Sequence, residues 1–201
     1  YSTAYRLTRE QGRVSVEDKL DLEAVLKESC PILDICEDNG GIVWMLTPRH
    51  LAARLTDVGK TIAVADIKSP TAITQSTKTG TMLCAAGHSL YRCKAEERYL
   101  TCSTAAALDM LSDNERVIAM SLDSNDGLRL ATSMGRTLSS DRHMKKFHPS
   151  PVDTLLRDGL CEDIVSTRTS VWLMNNKKVV CYNLQRKCAT IYPVTDEIVN
   201  I

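Results

Sequence analysis

The sequence predicts an all-β protein of mainly antiparallel strands, arranged as repeated four-stranded units. Three observations carry that prediction. Short apolar hairpins recur: residues 42–46 turn through Thr47-Pro48-Arg49-His50 into 51–55, and 83–86 turn through Gly87-His88 into 89–93. Residues 128–132 turn through Ser133-Met134-Gly135 into 136–139, and 169–174 turn through Asn175-Asn176-Lys177-Lys178 into 179–183. These hairpins begin near positions 42, 83, 128 and 171, a step of roughly 43 residues. Finally, the strand-turn segment 32–41 matches 118–127, within the strand and turn of 117–127, at an offset of 86 residues without a gap.

The elements follow in order. Residues 2–8 alternate like a strand, Arg9-Glu10-Gln11-Gly12 is a turn, and 13–16 resumes strand character. From Lys19 to Lys27, Leu20, Leu22 and Ala24 fit a strand period while Leu22, Val25 and Leu26 fit a helix with Ser15 as N-cap, and both readings stay open. Pro31 ends that element and 32–36 starts the first complete unit, closed by the turn Glu37-Asp38-Asn39-Gly40-Gly41. Residues 61–65 form an apolar strand, and 69–80 read as a polar loop. The run 105–111 has helix propensity but is short. Residues 141–151 are the longest irregular stretch, and 152–159 suggest a turn of helix ended by Gly159. The chain reads as one β-rich domain, residues 1–201, expected to be a portion of a longer assembly of such units.

Charge is balanced, with 25 basic and 25 acidic residues, so no global field favours nucleic acid or an anionic membrane as partner. No apolar run approaches the roughly 18 residues that span a bilayer. Eight cysteines would permit four disulfides in a secreted protein. Against that, no N-glycosylation acceptor is present, and Cys84, Cys93, Cys102 and Cys181 lie inside apolar strands, where a thiol packs as a small hydrophobe. Reduced cysteines and an intracellular location, cytoplasm or nucleus, are expected.

A small antiparallel sheet of apolar strands cannot bury both faces by itself, and stacking such sheets radially lets each cover its neighbour. The pattern resembles β-propeller repeats of the WD40-like kind across most of the chain. The likeness is at superfamily level: Gly87-His88 sits in a hairpin turn, and neither Trp44 nor Trp172 precedes an Asp.

No Walker-type loop, dinucleotide fingerprint or Gly-x-Ser-x-Gly elbow is present, so no catalytic residue and no cofactor is assigned. Asp57…Asp66-Ile67-Lys68 resembles the carboxylate-lysine core of a metal-dependent nuclease family, which implies a divalent cation held by the carboxylates and a water oriented by Lys68. Cys84, His88, Cys93 and Cys102 have soft ligands in reach of one another but lack a Cys-x2-Cys knuckle, so buried thiols are the expectation and no metal site is assigned. His50 after an apolar strand is similar to the histidine segment of chymotrypsin-like proteases, without the Gly-x-Ser/Cys-Gly that should follow. The one basic concentration is Arg142 to His148. Arg142, Lys145, Lys146 and Phe147 are expected to bind another protein with an acidic surface.

The function these observations predict is a non-catalytic protein-protein interaction scaffold. Two alternatives compete with it: a nuclease-like enzyme using Asp66 and Lys68, and a disulfide-bonded extracellular or viral attachment domain.

Overall fold

A computed structural model of the chain describes residues 2–55, 61–76, 78–156 and 159–194. The hairpin β1 (Thr3–Glu10) and β2 (Arg13–Asp21) leads into the short helix α1 (Leu22–Leu26). Both readings of Lys19 to Lys27 therefore hold in part, with the change of period at Asp21. Its carboxylate accepts from the Ala24 N–H and takes the N-cap position expected of Ser15.

Four antiparallel four-stranded sheets follow, each wound in sequence order. Sheet I is β3 (Asp34–Glu37), β4 (Val43–Leu46), β5 (Leu51–Arg54) and β6 (Ile62–Val64). Sheet II is β7 (Pro70–Gln75), β8 (Met82–Ala86), β9 (Ser89–Ala95) and β10 (Leu100–Ala107). Sheet III is β11 (Val117–Leu122), β12 (Leu128–Thr132), β13 (Thr137–Ser140) and β14 (Phe147–Pro149). Sheet IV is β15 (Asp163–Ser166), β16 (Ser170–Met174), β17 (Lys178–Asn183) and β18 (Cys188–Pro193). The hairpins expected to begin near 42, 83, 128 and 171 are in every case the second and third strands of a sheet. The stretch 69–80, read as a loop, contains β7, and the alanine run at 105–107 completes β10.

Turn chemistry explains why the chain reverses where it does. Between first and second strands, a side-chain oxygen collects the exposed N–H groups of the turn. Asp38 accepts from Gly40 and Ile42 at 2.9 and 3.0 Å, and Asp123 accepts from Asn125 and Gly127 at 2.8 and 3.0 Å. Ser76 and Thr167 serve the same turn in sheets II and IV. The other Asp38 oxygen accepts from the Trp44 indole at 2.9 Å, while Asp123 binds Arg129 at 3.2 Å. Thr47 and Thr132 then close the next turn in both sheets. Asp38 thus matches Asp123 and Thr47 matches Thr132, so the true offset is 85 residues, one less than the sequence match implied.

Among the described residues, the apolar side chains form no single core but collect in the seams between successive sheets. Leu20 and Leu22 pack on Met45 and Ala52 of sheet I. Trp44, Leu51 and Ala53 meet Ile73, Met82 and Cys84 of sheet II. Leu83, Ala85 and Leu90 meet Met120, Leu128 and Leu130 of sheet III. Ala119 and Ala131 meet Ile164, Val171 and Leu173 of sheet IV. The first strands β3, β7, β11 and β15 lie side by side, β7 against β11 and β11 against β15. The remaining face of sheet IV exposes Val165, Trp172, Met174 and Tyr192, with the Trp172 and Tyr192 rings stacked at 6.1 Å.

Candidate functional site

The N-terminal ends of the four first strands open onto one pocket of about 690 Å³. Asp34 opens β3, Pro70 opens β7, Arg116 immediately precedes β11, and Asp163 opens β15 with Glu162 beside it. Each sheet supplies part of the wall, because the first strands lie side by side. Asp34 and Asp163 are held alike: one carboxylate oxygen of each accepts from the next backbone N–H, Ile35 or Ile164, at 2.8 Å. That bond fixes the side chain and leaves the other oxygen for the cavity. Partial burial raises the Asp34 carboxyl above the usual aspartate range; the Ile35 N–H opposes the shift and the Asp163 charge adds to it. Arg116 has no ion pair among the described residues, and its backbone N–H donates to Ser133 Oγ at 3.1 Å. A carboxyl kept more protonated than usual can donate a proton, and an unpaired guanidinium can hold a carbonyl or carboxylate oxygen. Among the described residues, no three His, Cys, Asp or Glu side chains are grouped so as to hold a metal ion.

The residues singled out from the sequence fall elsewhere. Asp66 and Lys68 are exposed on the connection between β6 and β7, and Asp57 lies outside the described residues. His50 pairs with Glu28 at 2.8 Å in the β4–β5 turn. Arg142, Lys145 and Lys146 are exposed between β13 and β14, whereas Phe147 is half-buried against the seam between sheets II and III. Arg142 joins Arg92 and His143 around a second cavity of about 220 Å³. All eight cysteines are free thiols.

Sequence reasoning missed the pocket because its charged residues come from three separate sheets, one or two from each. The available signal was the Asp-Ile pair, Asp34-Ile35 and Asp163-Ile164, recurring at the same phase of the repeat three units apart.

No family model and no curated protein matches the sequence. Solved structures do match. A virginiamycin B lyase from Staphylococcus aureus aligns over 93% of this chain and 61% of its own at TM-score 0.62 and 12% identity. A gluconolactonase from Xanthomonas campestris aligns over 94% of this chain and 67% of its own at TM-score 0.63 and 15% identity. The fold is a β-propeller. An auxiliary nutrient binding protein from Bacteroides ovatus shares it at TM-score 0.59 and 12% identity, over 82% of this chain and 42% of that one. The chain spans about three fifths of the length of the lyase.

These neighbours correct the expectation of a non-catalytic interaction scaffold. Propellers of this form include proteins named as a lyase and a gluconolactonase. The expectation failed for a physical reason: it took the absence of a local catalytic motif as absence of a site. A site at the hub of a propeller draws one side chain from each blade and leaves no local motif. The nuclease alternative gains nothing from the fold, since Asp66 and Lys68 stand apart from the pocket. No helix among the described residues is long and apolar enough to cross a membrane.

Proposed function

We propose that this chain is part of a propeller enzyme that binds a small, oxygen-rich organic molecule in the hub pocket and acts on it by proton transfer at Asp34. The observation that carries this reading is the pocket itself. Four blades converge on about 690 Å³ lined by Asp34, Asp163, Glu162 and the unpaired Arg116. Carboxylates suit the hydroxyl groups of a sugar-like ligand, and Arg116 suits a carbonyl or carboxylate oxygen. The neighbours named as lyase and gluconolactonase support a small-molecule substrate of this class.

The test is a panel of sugar lactones and related hydroxy acids, scored for acid release or double-bond formation. Asp34→Asn is expected to lower kcat by about 100-fold at unchanged Tm, and Arg116→Ala to raise KM more than it lowers kcat. Turnover that survives both substitutions, or a ligand mapping by NMR to the Arg92–Arg142 cavity, overturns the reading.

A WD40-type relationship is supported by the roughly 43-residue period and the four-stranded blades. An intracellular setting is supported by the eight free thiols, although an extracellular domain of a two-component system from Bacteroides thetaiotaomicron shares the fold at TM-score 0.61. Membership in a longer propeller is supported by the chain's share of its neighbours and by the uncovered apolar face of sheet IV. An acidic protein could still meet Arg142, Lys145 and Lys146 through charge alone.

A further inference from the structure

We propose that Cys93 and Cys102 are a thiol modification site, oxidised by a low-molecular-weight disulfide to a cross-strand disulfide inside sheet II. The two residues face each other directly across β9 and β10. Antiparallel pairs alternate between hydrogen-bonded and non-hydrogen-bonded positions. The Glu96 N–H donates to the Tyr99 carbonyl at 2.9 Å where the hairpin closes, which makes 96/99 a hydrogen-bonded pair. Counting inward, 95/100 is non-hydrogen-bonded, 94/101 hydrogen-bonded, and 93/102 non-hydrogen-bonded. Non-hydrogen-bonded partners approach to about 4.5 Å between Cα atoms, within the range of about 4.4–6.8 Å that a disulfide spans. Direct partners across a strand pair also carry their side chains on the same face of the sheet, so the two sulfurs face the same side.

A third thiol sharpens the assignment. Met82 stands opposite Cys93, so Cys84 lies on the same face one diagonal step away. Diagonal Cα atoms are about 7–8 Å apart, beyond ready disulfide closure. Cys84 is wholly buried, and burial pushes its thiol up to about 12. Cys102 differs from both neighbours. It is half-buried rather than enclosed, and its pairing with the Cys93 side chain favours the thiolate at Cys102 and disfavours it at Cys93. The order of events follows. The Cys102 thiolate attacks one sulfur of oxidised glutathione, forming a mixed disulfide and releasing one glutathione thiolate. Cys93 then loses its proton to that leaving group and attacks the Cys102 sulfur, releasing the second glutathione. Two protein thiols and one external disulfide become one protein disulfide and two glutathione thiols.

Sheet IV contains its own control. Cys181 and Cys188 share a face but are only diagonal, because Cys181 pairs with Thr190 and Cys188 with Asn183. Exposed Cys188 should therefore take glutathione and keep it. The experiment exposes the folded chain to oxidised glutathione, quenches with acid, and maps the peptides by mass spectrometry. The expected result is a linked peptide pair containing Cys93 and Cys102, two hydrogens lighter than the sum, beside a glutathione adduct on Cys188. In Cys93→Ser the reaction should stop at glutathione on Cys102. A wild-type map in which Cys102 keeps glutathione or stays free while Cys188 is fully modified overturns the proposal, as does a Cys84–Cys93 link. Should Cys93→Ser fail to fold, the wild-type map decides alone.

Discussion

Glu115 engages both of its oxygens while its side chain is only 1% exposed. One accepts from Thr132 Oγ1 at 2.5 Å and from Arg136 Nε at 2.9 Å; the other accepts from the Ser112 N–H at 3.2 Å and from a second Arg136 nitrogen. The Arg136 hydrogen bond outweighs the cost of burial and holds the carboxyl down at about 2. Because this folded value lies below the ordinary 4.5, the stability the group contributes is complete above about pH 4.5 and is lost as pH falls towards 2. Glu115→Gln is expected to destabilise by about 2 kcal/mol at neutral pH, since Arg136 loses its charge partner. Thermal melts should show the gap between wild type and variant narrowing below about pH 4.5; a constant gap would mean the charge contributes nothing. Phe147 makes a second case at this scale. Packed on the seam between sheets II and III, it should cost about 2 kcal/mol when replaced by Ala. Lys145→Ala and Lys146→Ala, both exposed, should move stability by less than about 0.5 kcal/mol. Equal effects at all three positions would show that Phe147 is not anchored as described.

At the scale of single elements, the turns built on Asp38 and Asp123 are independent copies of one device in two different sheets. Asp38→Ala strands the Gly40 and Ile42 N–H groups and the Trp44 indole; Asp123→Ala strands Asn125, Gly127 and part of the Arg129 contact. Each should cost about 1–2 kcal/mol, and the double variant should equal the sum within about 0.5 kcal/mol. A large deviation in urea titrations would show that the turns communicate. These turns were legible in the sequence because Asp, Asn and Gly have few other reasons to cluster between apolar runs. Their register was not: with β4 and β12 buried on both faces, polar alternation is too weak to fix the phase, and the repeat was misplaced by one residue. β7 escaped notice for a related reason. Pro70, Thr71, Thr74 and Gln75 give the stretch the composition of a loop, although Ala72 and Ile73 are buried. The alanines of β10 show pairing with β9 overriding local helix propensity.

At the scale of the whole molecule, the repeat announced the architecture, yet the hub pocket stayed hidden. Asp34, Arg116 and Asp163 are neighbours only once the blades stand side by side. The seams that hold the blades together have a thermodynamic consequence. Every apolar cluster is shared by two adjacent sheets and by no others. The 201-residue chain taken by itself behaves as a series of nearest-neighbour couplings, and fraying should begin in the sheets that a neighbour covers on one side only. Sheets II and III, gripped on both sides, should hold their amides longest, while β1–β2 and β17–β18 exchange first. Hydrogen exchange should resolve this as a gradient along the polypeptide, and one common rate for all sheets would contradict it. A chain coupled in this way can lose a blade gripped on one side and keep the rest, so damage stays within a seam or two of where it arises.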